Sequence, residues 1–287
     1  MKKINTITTI IFIVLVLIFA VKIISAQTAR SALDDIVADI PEKWWDGGWD
    51  KVSDLTRFIN EEPHTNNEAV AKARYWIGCN YYANREHLKA IDEFEALIQQ
   101  YPDAWFACAM AQFEIGQVYL YRIYDYQKAL EAYQKVLTEY PICEVTSQAQ
   151  RMIAYTYLQM GDHETAKAEY EKILRNYPNN KLETAKAYWE MGEMFFGESL
   201  DKKLTQEQKD QKLKDALSAY KQANLYCPYD EADLEEWTVD SIVRAFRYLD
   251  GNSGRADAFV EYQRYAETGD TTGLADKGAI TDPLKDF

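Results

Sequence analysis

The residues best suited to chemistry are thinly spread along this chain. His64, His87 and His163 stand far apart, and none falls in an HExxH zinc motif. Cys79, Cys108, Cys143 and Cys227 are spaced too widely for a CxxC redox or metal pair. An even cysteine count in an oxidising compartment invites a disulfide reading. The helical register derived below sets no two of them side by side, so buried free thiols are expected. No GxSxG elbow, GxxxxGK[ST] phosphate loop or GxGxxG turn occurs. Among candidate catalytic arrangements, Asp162-His163-Glu164 comes nearest to a polar cluster. It falls where a solvated turn and helix start belong, and metal ligation is the competing reading. Carboxylates are abundant, but the pattern singles out no pair for general acid–base work. The expectation is a non-catalytic protein with no cofactor and no metal; an enzyme with an unrecognised carboxylate site is the reading it displaces.

Composition narrows the elements that could position such groups. The chain has 287 residues, 47% hydrophobic and 27% charged, which suits a globular protein of one or two domains. Against 46 acidic residues stand 32 basic ones, a formal charge of −14. That balance disfavours sequence-independent nucleic-acid binding, which needs a cationic face, and tight docking on anionic lipid. Twelve Gly and seven Pro are too few for the turns of a strand-rich fold. A mostly helical protein is expected.

At the amino terminus, Lys2 and Lys3 precede an unbroken apolar run from Ile10 to Val21. Residues 1–26 read as a signal peptide or a membrane anchor, the span then being residues 4–24. Ile24-Ser25-Ala26 fits a cleavage site only in part, because Ile is bulky for its first position. Either outcome places the remainder outside the cytoplasm. No Cys follows the apolar run, which argues against lipid attachment there.

Self-comparison gives the organising signal. Four segments carry a small residue, an aromatic four positions later and Pro twelve later: Ala90/Phe94/Pro102, Ala129/Tyr133/Pro141, Ala166/Tyr170/Pro178 and Ala216/Tyr220/Pro228. Upstream of each lies a small residue with an aromatic three positions on, at Gly78/Tyr81, Gly116/Tyr119, Ala154/Tyr157 and Gly192/Phe195. Each unit reads as two antiparallel helices whose small residues face one another, with Pro stopping the second helix.

This pattern resembles the tetratricopeptide-repeat family. The longer Pro-to-small spacing of 14, 13 and 14 residues, with Tyr-Pro in three units, is similar to the family's extracytoplasmic branch. That branch includes the periplasmic partner of the Tol-Pal system and the repeat lipoprotein of the outer-membrane barrel-assembly machine. The resemblance implies an all-α, right-handed solenoid of helix pairs and a non-catalytic scaffold of the cell envelope. It also implies a concave groove lined by the first helix of each pair. The family register maps that lining onto Lys72, Tyr75, Cys79 and Tyr82 in the first unit, and Met110, Phe113, Gln117 and Tyr121 in the second. In the third it gives Gln148, Arg151, Tyr155 and Gln159, and in the fourth Lys186, Trp189, Glu193 and Phe196. Rings mixed with amide and basic groups suit a peptide or helix of another envelope protein. The same rings could instead pack against the neighbouring unit. The carboxylate clamp of the chaperone-tail class is not expected, because Tyr75, Cys79 and Glu114 hold three of its positions.

Four such units are expected over residues 67–230, with an insertion at about 197–213 in the fourth. Residues 27–66 form a helical cap, in which Ala29–Ile40 and Trp49–Ile59 read as helices. Trp44, Trp45 and Trp49 either seal the first repeat or form a patch for glycan or the membrane interface. Residues 231–266 read as a degenerate fifth pair and 267–287 as a disordered tail.

Overall fold

A computed structural model describes residues 2–41, 44–46, 48–61, 67–228 and 231–250. Among the described residues the chain is all helical, with no strand. It divides into two compact units, Met1–Thr146 and Ser147–Phe287.

Unit 1 begins with α1 (Lys2–Val37), followed by a short 3₁₀ turn (Trp44–Asp46) and α2 (Val52–Glu61). Two repeat pairs follow, α3 (Asn67–Ala83) with α4 (His87–Gln100), and α5 (Trp105–Val118) with α6 (Tyr126–Glu139). Unit 2 starts just inside α7 (Val145–Gln159), which pairs with α8 (His163–Asn176). It continues through α9 (Lys181–Ser199) and α10 (Gln206–Tyr226) to α11 (Ala232–Asp250).

The repeated residues explain each pair. The second helices end at Gln100, Glu139, Asn176 and Tyr226, two residues before Pro102, Pro141, Pro178 and Pro228. The small residues recur where a ring of the second helix needs room. The aromatic ring of the second helix lies flat against the glycine of the first. A methyl group built on Gly116 would sit 2.5 Å from the Tyr133 ring. Gly78 beneath Phe94 and Gly192 beneath Tyr220 are covered in the same way. Phe94, Tyr133, Tyr170 and Tyr220 are all fully buried, so each pair is locked by one ring.

The turns inside the pairs share one construction. The Glu86 N–H donates to the Tyr81 carbonyl at 2.8 Å, and the Asp162 N–H to that of Tyr157 at 3.0 Å. Arg85 (φ 65°) and Gly161 (φ 79°) supply the left-handed residue that closes such a helix end. The second pair carries one residue more between its small positions, Gly116 to Ala129. The extra residue is absorbed as a π-helical turn at Tyr119–Ile123. The Asp125 N–H still reaches the Tyr119 carbonyl at 3.0 Å, with Tyr124 left-handed.

Several sequence expectations shift at the edges. Ala29–Ile40 is not a separate helix: residues up to Val37 are the distal end of α1, which packs Ala29 and Leu33 against Leu55, Phe58, Ala73 and Ile77. Trp49 precedes the second helix, which starts at Val52 behind an Asp50 side chain that accepts from its N–H. Most of the 197–213 insertion lengthens α9 and α10, leaving a turn that ends in a Thr205–Gln208 capping box. Residues 253–266 and 267–287 lie outside the described residues.

Candidate functional site

Unit 1 contains a recess of about 530 Å³ between the starts of α3 and α5. Trp44, Tyr75, Trp76, Trp105, Phe106 and Met110 supply its apolar surface, and Asn67, Glu68, Lys72 and Asp103 its polar edge. A volume of this size takes one or two side chains of a partner. Trp105 and Phe106 sit in the first turn of α5, edge to face with centroids 6.4 Å apart, and are 51% and 50% exposed. Large rings left this open at a helix start gain little folding energy where they stand. The matching positions of the other repeats are Asn67-Glu68, Cys143-Glu144 and Lys181-Leu182. The family register did not point to Trp105 and Phe106, but a column-by-column comparison of the repeats would have found them.

The tryptophan cluster forms one wall and the cap. Trp49 is buried; its indole N–H donates to the Trp44 carbonyl at 2.8 Å, and its own carbonyl accepts from Asn80 at 2.9 Å. The Trp44 ring meets Trp76 and Tyr82 edge-on, at 6.5 and 5.6 Å. Trp45 alone of the three is half exposed, set edge-on to Trp44. Glycan stacking needs an open ring face, and this arrangement spends two of the three rings on sealing the first repeat.

Of the first two units' expected groove residues, the recess gathers Lys72, Tyr75 and Met110. The rest of that set mainly packs. Tyr82 and Phe113 are buried, Phe113 against the Tyr133 ring at 5.5 Å. Gln117 accepts from the Tyr133 hydroxyl at 3.1 Å, and Tyr121 lies on the π turn. Cys79 is fully buried. Behind the recess wall the Tyr75 hydroxyl donates to Glu114 at 3.3 Å. Burial pushes the Glu114 carboxyl up to about 7, and pushes the Tyr75 hydroxyl and Cys79 thiol well above their usual values.

In unit 2 the expected lining is mostly occupied by the protein itself. Arg151 bridges Glu183 at 2.7 Å and Glu190 at 2.6 Å. Lys186 lies 3.9 Å from Glu183. Tyr155 and Gln148 are half buried, and Gln159 is exposed. Helix α11 covers the fourth unit's positions. Trp189 donates to Ser241 at 3.2 Å and leans on Trp237, with ring centroids 5.7 Å apart. Glu193 accepts from the Tyr220 hydroxyl at 2.6 Å and pairs with Arg244. Phe196 is buried beneath the Arg244 guanidinium, 4.3 Å from the ring centre.

The Asp162-His163-Glu164 cluster has a structural role. Asp162 caps α8 by accepting from the Thr165 N–H, and His163 pairs with Glu198 at 2.8 Å. Among the described residues no three His, Cys, Asp or Glu side chains gather as metal ligands. Among the described residues no disulfide joins any of the four cysteines.

Helix pairs locked by one ring and stopped by Pro are the construction of the tetratricopeptide-repeat class, and the repeat region of this chain is similar to that family. Residues 72–104 match the family described as "Tetratricopeptide repeat", and residues 109–228 the family YfiO, described as "Outer membrane lipoprotein". The likeness therefore extends to the extracytoplasmic branch. No curated protein matches the chain. A solved structure titled "MamA RS-1 ArsTM double mutant" is 15% identical, with a TM-score of 0.45, covering 70% of this chain and 97% of that one. At this level of description the chain is a protein-interaction scaffold.

Proposed function

We propose that this protein is a non-catalytic scaffold of the cell envelope that holds a segment of another envelope protein in the recess between α3 and α5. The observation that carries this reading is the pair of half-exposed rings, Trp105 and Phe106, at the mouth of an apolar recess. Desolvated aromatic anchors are the usual source of binding energy at protein interfaces. Of the sequence-derived groove residues, Lys72, Tyr75 and Met110 take part directly, while most of the others hold the helices in place.

The extracytoplasmic location draws on the YfiO likeness and on α1. Val16–Val37 is long and apolar enough to cross a membrane by length and composition. Leu17, Val21 and Ile24 are among its exposed side chains. That apolar helix is the attachment we propose.

A photoreactive phenylalanine analogue at Phe106 tests the docking. In cells it should yield a covalent adduct with one partner, and the same analogue at Tyr124 should not. Trp105→Ala with Phe106→Ala should abolish capture of that partner by the full-length protein while leaving the melting temperature within about 2 °C. Capture that survives the double substitution would refute the site.

A further inference from the structure

We infer that the recess selects segments in which an apolar side chain is flanked by lysine or arginine. This rests on the docking reading above and adds the chemistry of the occupant.

The interior of the recess is apolar, formed by Tyr75, Trp76 and Met110 with Trp105 and Phe106 at the mouth. Its charged edge is unbalanced. Glu68 and Asp103 are exposed carboxylates, and among the described residues neither makes an ion pair. The one basic lining residue, Lys72, is held 3.2 Å from Asp34 and is thereby neutralised. Glu68 lies in the first turn of α3, and Asp103 lies two residues before α5. Each helix start offsets about half a charge. Three carboxylates then face one ammonium and about one further positive charge, so the mouth stays negative. The surrounding residues 27–146 reinforce that sign, with 11 basic and 20 acidic side chains. A cation entering here meets carboxylates and electron-rich indole rings together, which attract it by charge and by the ring quadrupole. An acidic segment would be repelled. A purely apolar one would fill the interior and leave both carboxylates without partners.

The test uses the full-length protein in detergent and a displayed library of random peptides about 12 residues long. Peptides enriched on the native protein should carry Lys or Arg beside Leu, Phe or Met. Their affinity should fall between about 0.1 M and about 0.5 M NaCl. Glu68→Gln with Asp103→Asn should weaken them about five- to tenfold and flatten that salt dependence. Trp105→Ala with Phe106→Ala should abolish binding. Enriched peptides that need Trp105 and Phe106, yet lack basic residues or ignore the charge substitutions, would overturn this inference and leave the docking reading standing. Failure to enrich any peptide that depends on Trp105 and Phe106 would overturn both.

Discussion

The Tyr133 ring occupies the space that a side chain on residue 116 would need. A Cβ placed on Gly116 would come within 2.5 Å of that ring, and Tyr133 is fully buried, so the ring has nowhere to retreat. Phe94 over Gly78 and Tyr220 over Gly192 repeat the relationship. The third pair sets Ala154 with Tyr170 in one buried cluster.

Gly116→Ala should therefore destabilise the protein by about 1–3 kcal/mol, the usual cost of overpacking a core. Gly197→Ala should do the opposite. Gly197 is also helical, but open space surrounds its Cβ position, and Ala is favoured over Gly in a helix by about 1 kcal/mol. Urea unfolding of the two variants measures both signs. A neutral Gly116→Ala would refute the packing of the Tyr133 ring on Gly116.

The turns predict a second contrast. Arg85 holds a left-handed conformation at φ 65° without glycine's freedom. Arg85→Gly should relieve about 1–2 kcal/mol of strain against about 0.5–1 kcal/mol of added chain entropy, a net gain of about 0.5–1 kcal/mol. Gly161→Ala, at φ 79°, should cost about 1 kcal/mol. Thermal melts of the single variants test the pair.

Glu114 makes stability depend on pH in an unusual direction. Its carboxyl rises to about 7 in the folded protein from an ordinary value near 4.5, because burial penalises the charged form. The folded state then binds more protons than the unfolded state between those values. This contribution is neutral in acid and becomes destabilising as pH rises from about 4.5 through about 7, reaching about 3 kcal/mol. Glu114→Gln should raise the melting temperature near pH 8 and remove that part of the pH profile. Equal shifts at pH 5 and pH 8 would count against a buried titrating Glu114.

Arg151 tests the buried charges of unit 2. It lies between Glu183 and Glu190, which are 2% and 8% exposed, and burial raises the Glu190 carboxyl. Arg151→Met would strand those carboxylates and should cost about 3–5 kcal/mol at neutral pH. Adding Glu190→Gln should recover part of the loss, because one stranded charge is removed. Denaturant titration of the single and double variants reads the coupling.

The helix ends and the repeat units were legible in the sequence, because Pro and the small/aromatic spacing act locally on the backbone. Gly116 and Tyr133 were visible as repeat positions, but their contact was not. A pattern records which residues recur without saying which surfaces meet. The groove residues show the same divide. Lys72, Tyr75 and Met110 fell together, while Trp189, Glu193 and Phe196 were claimed by α11, a helix outside the family register. Trp105 and Phe106 stood out only against their counterparts in the other repeats.

The amino-acid sequence by itself determined that this is an acidic, helical repeat protein with an apolar amino-terminal segment. Those properties follow from periodicity, composition and backbone sterics, which need no knowledge of distant neighbours. The tertiary structure alone decided which rings became core and which stayed open. Burial depends on what another helix covers, and residues alike in type, such as Phe113 and Phe106, differ only in that cover.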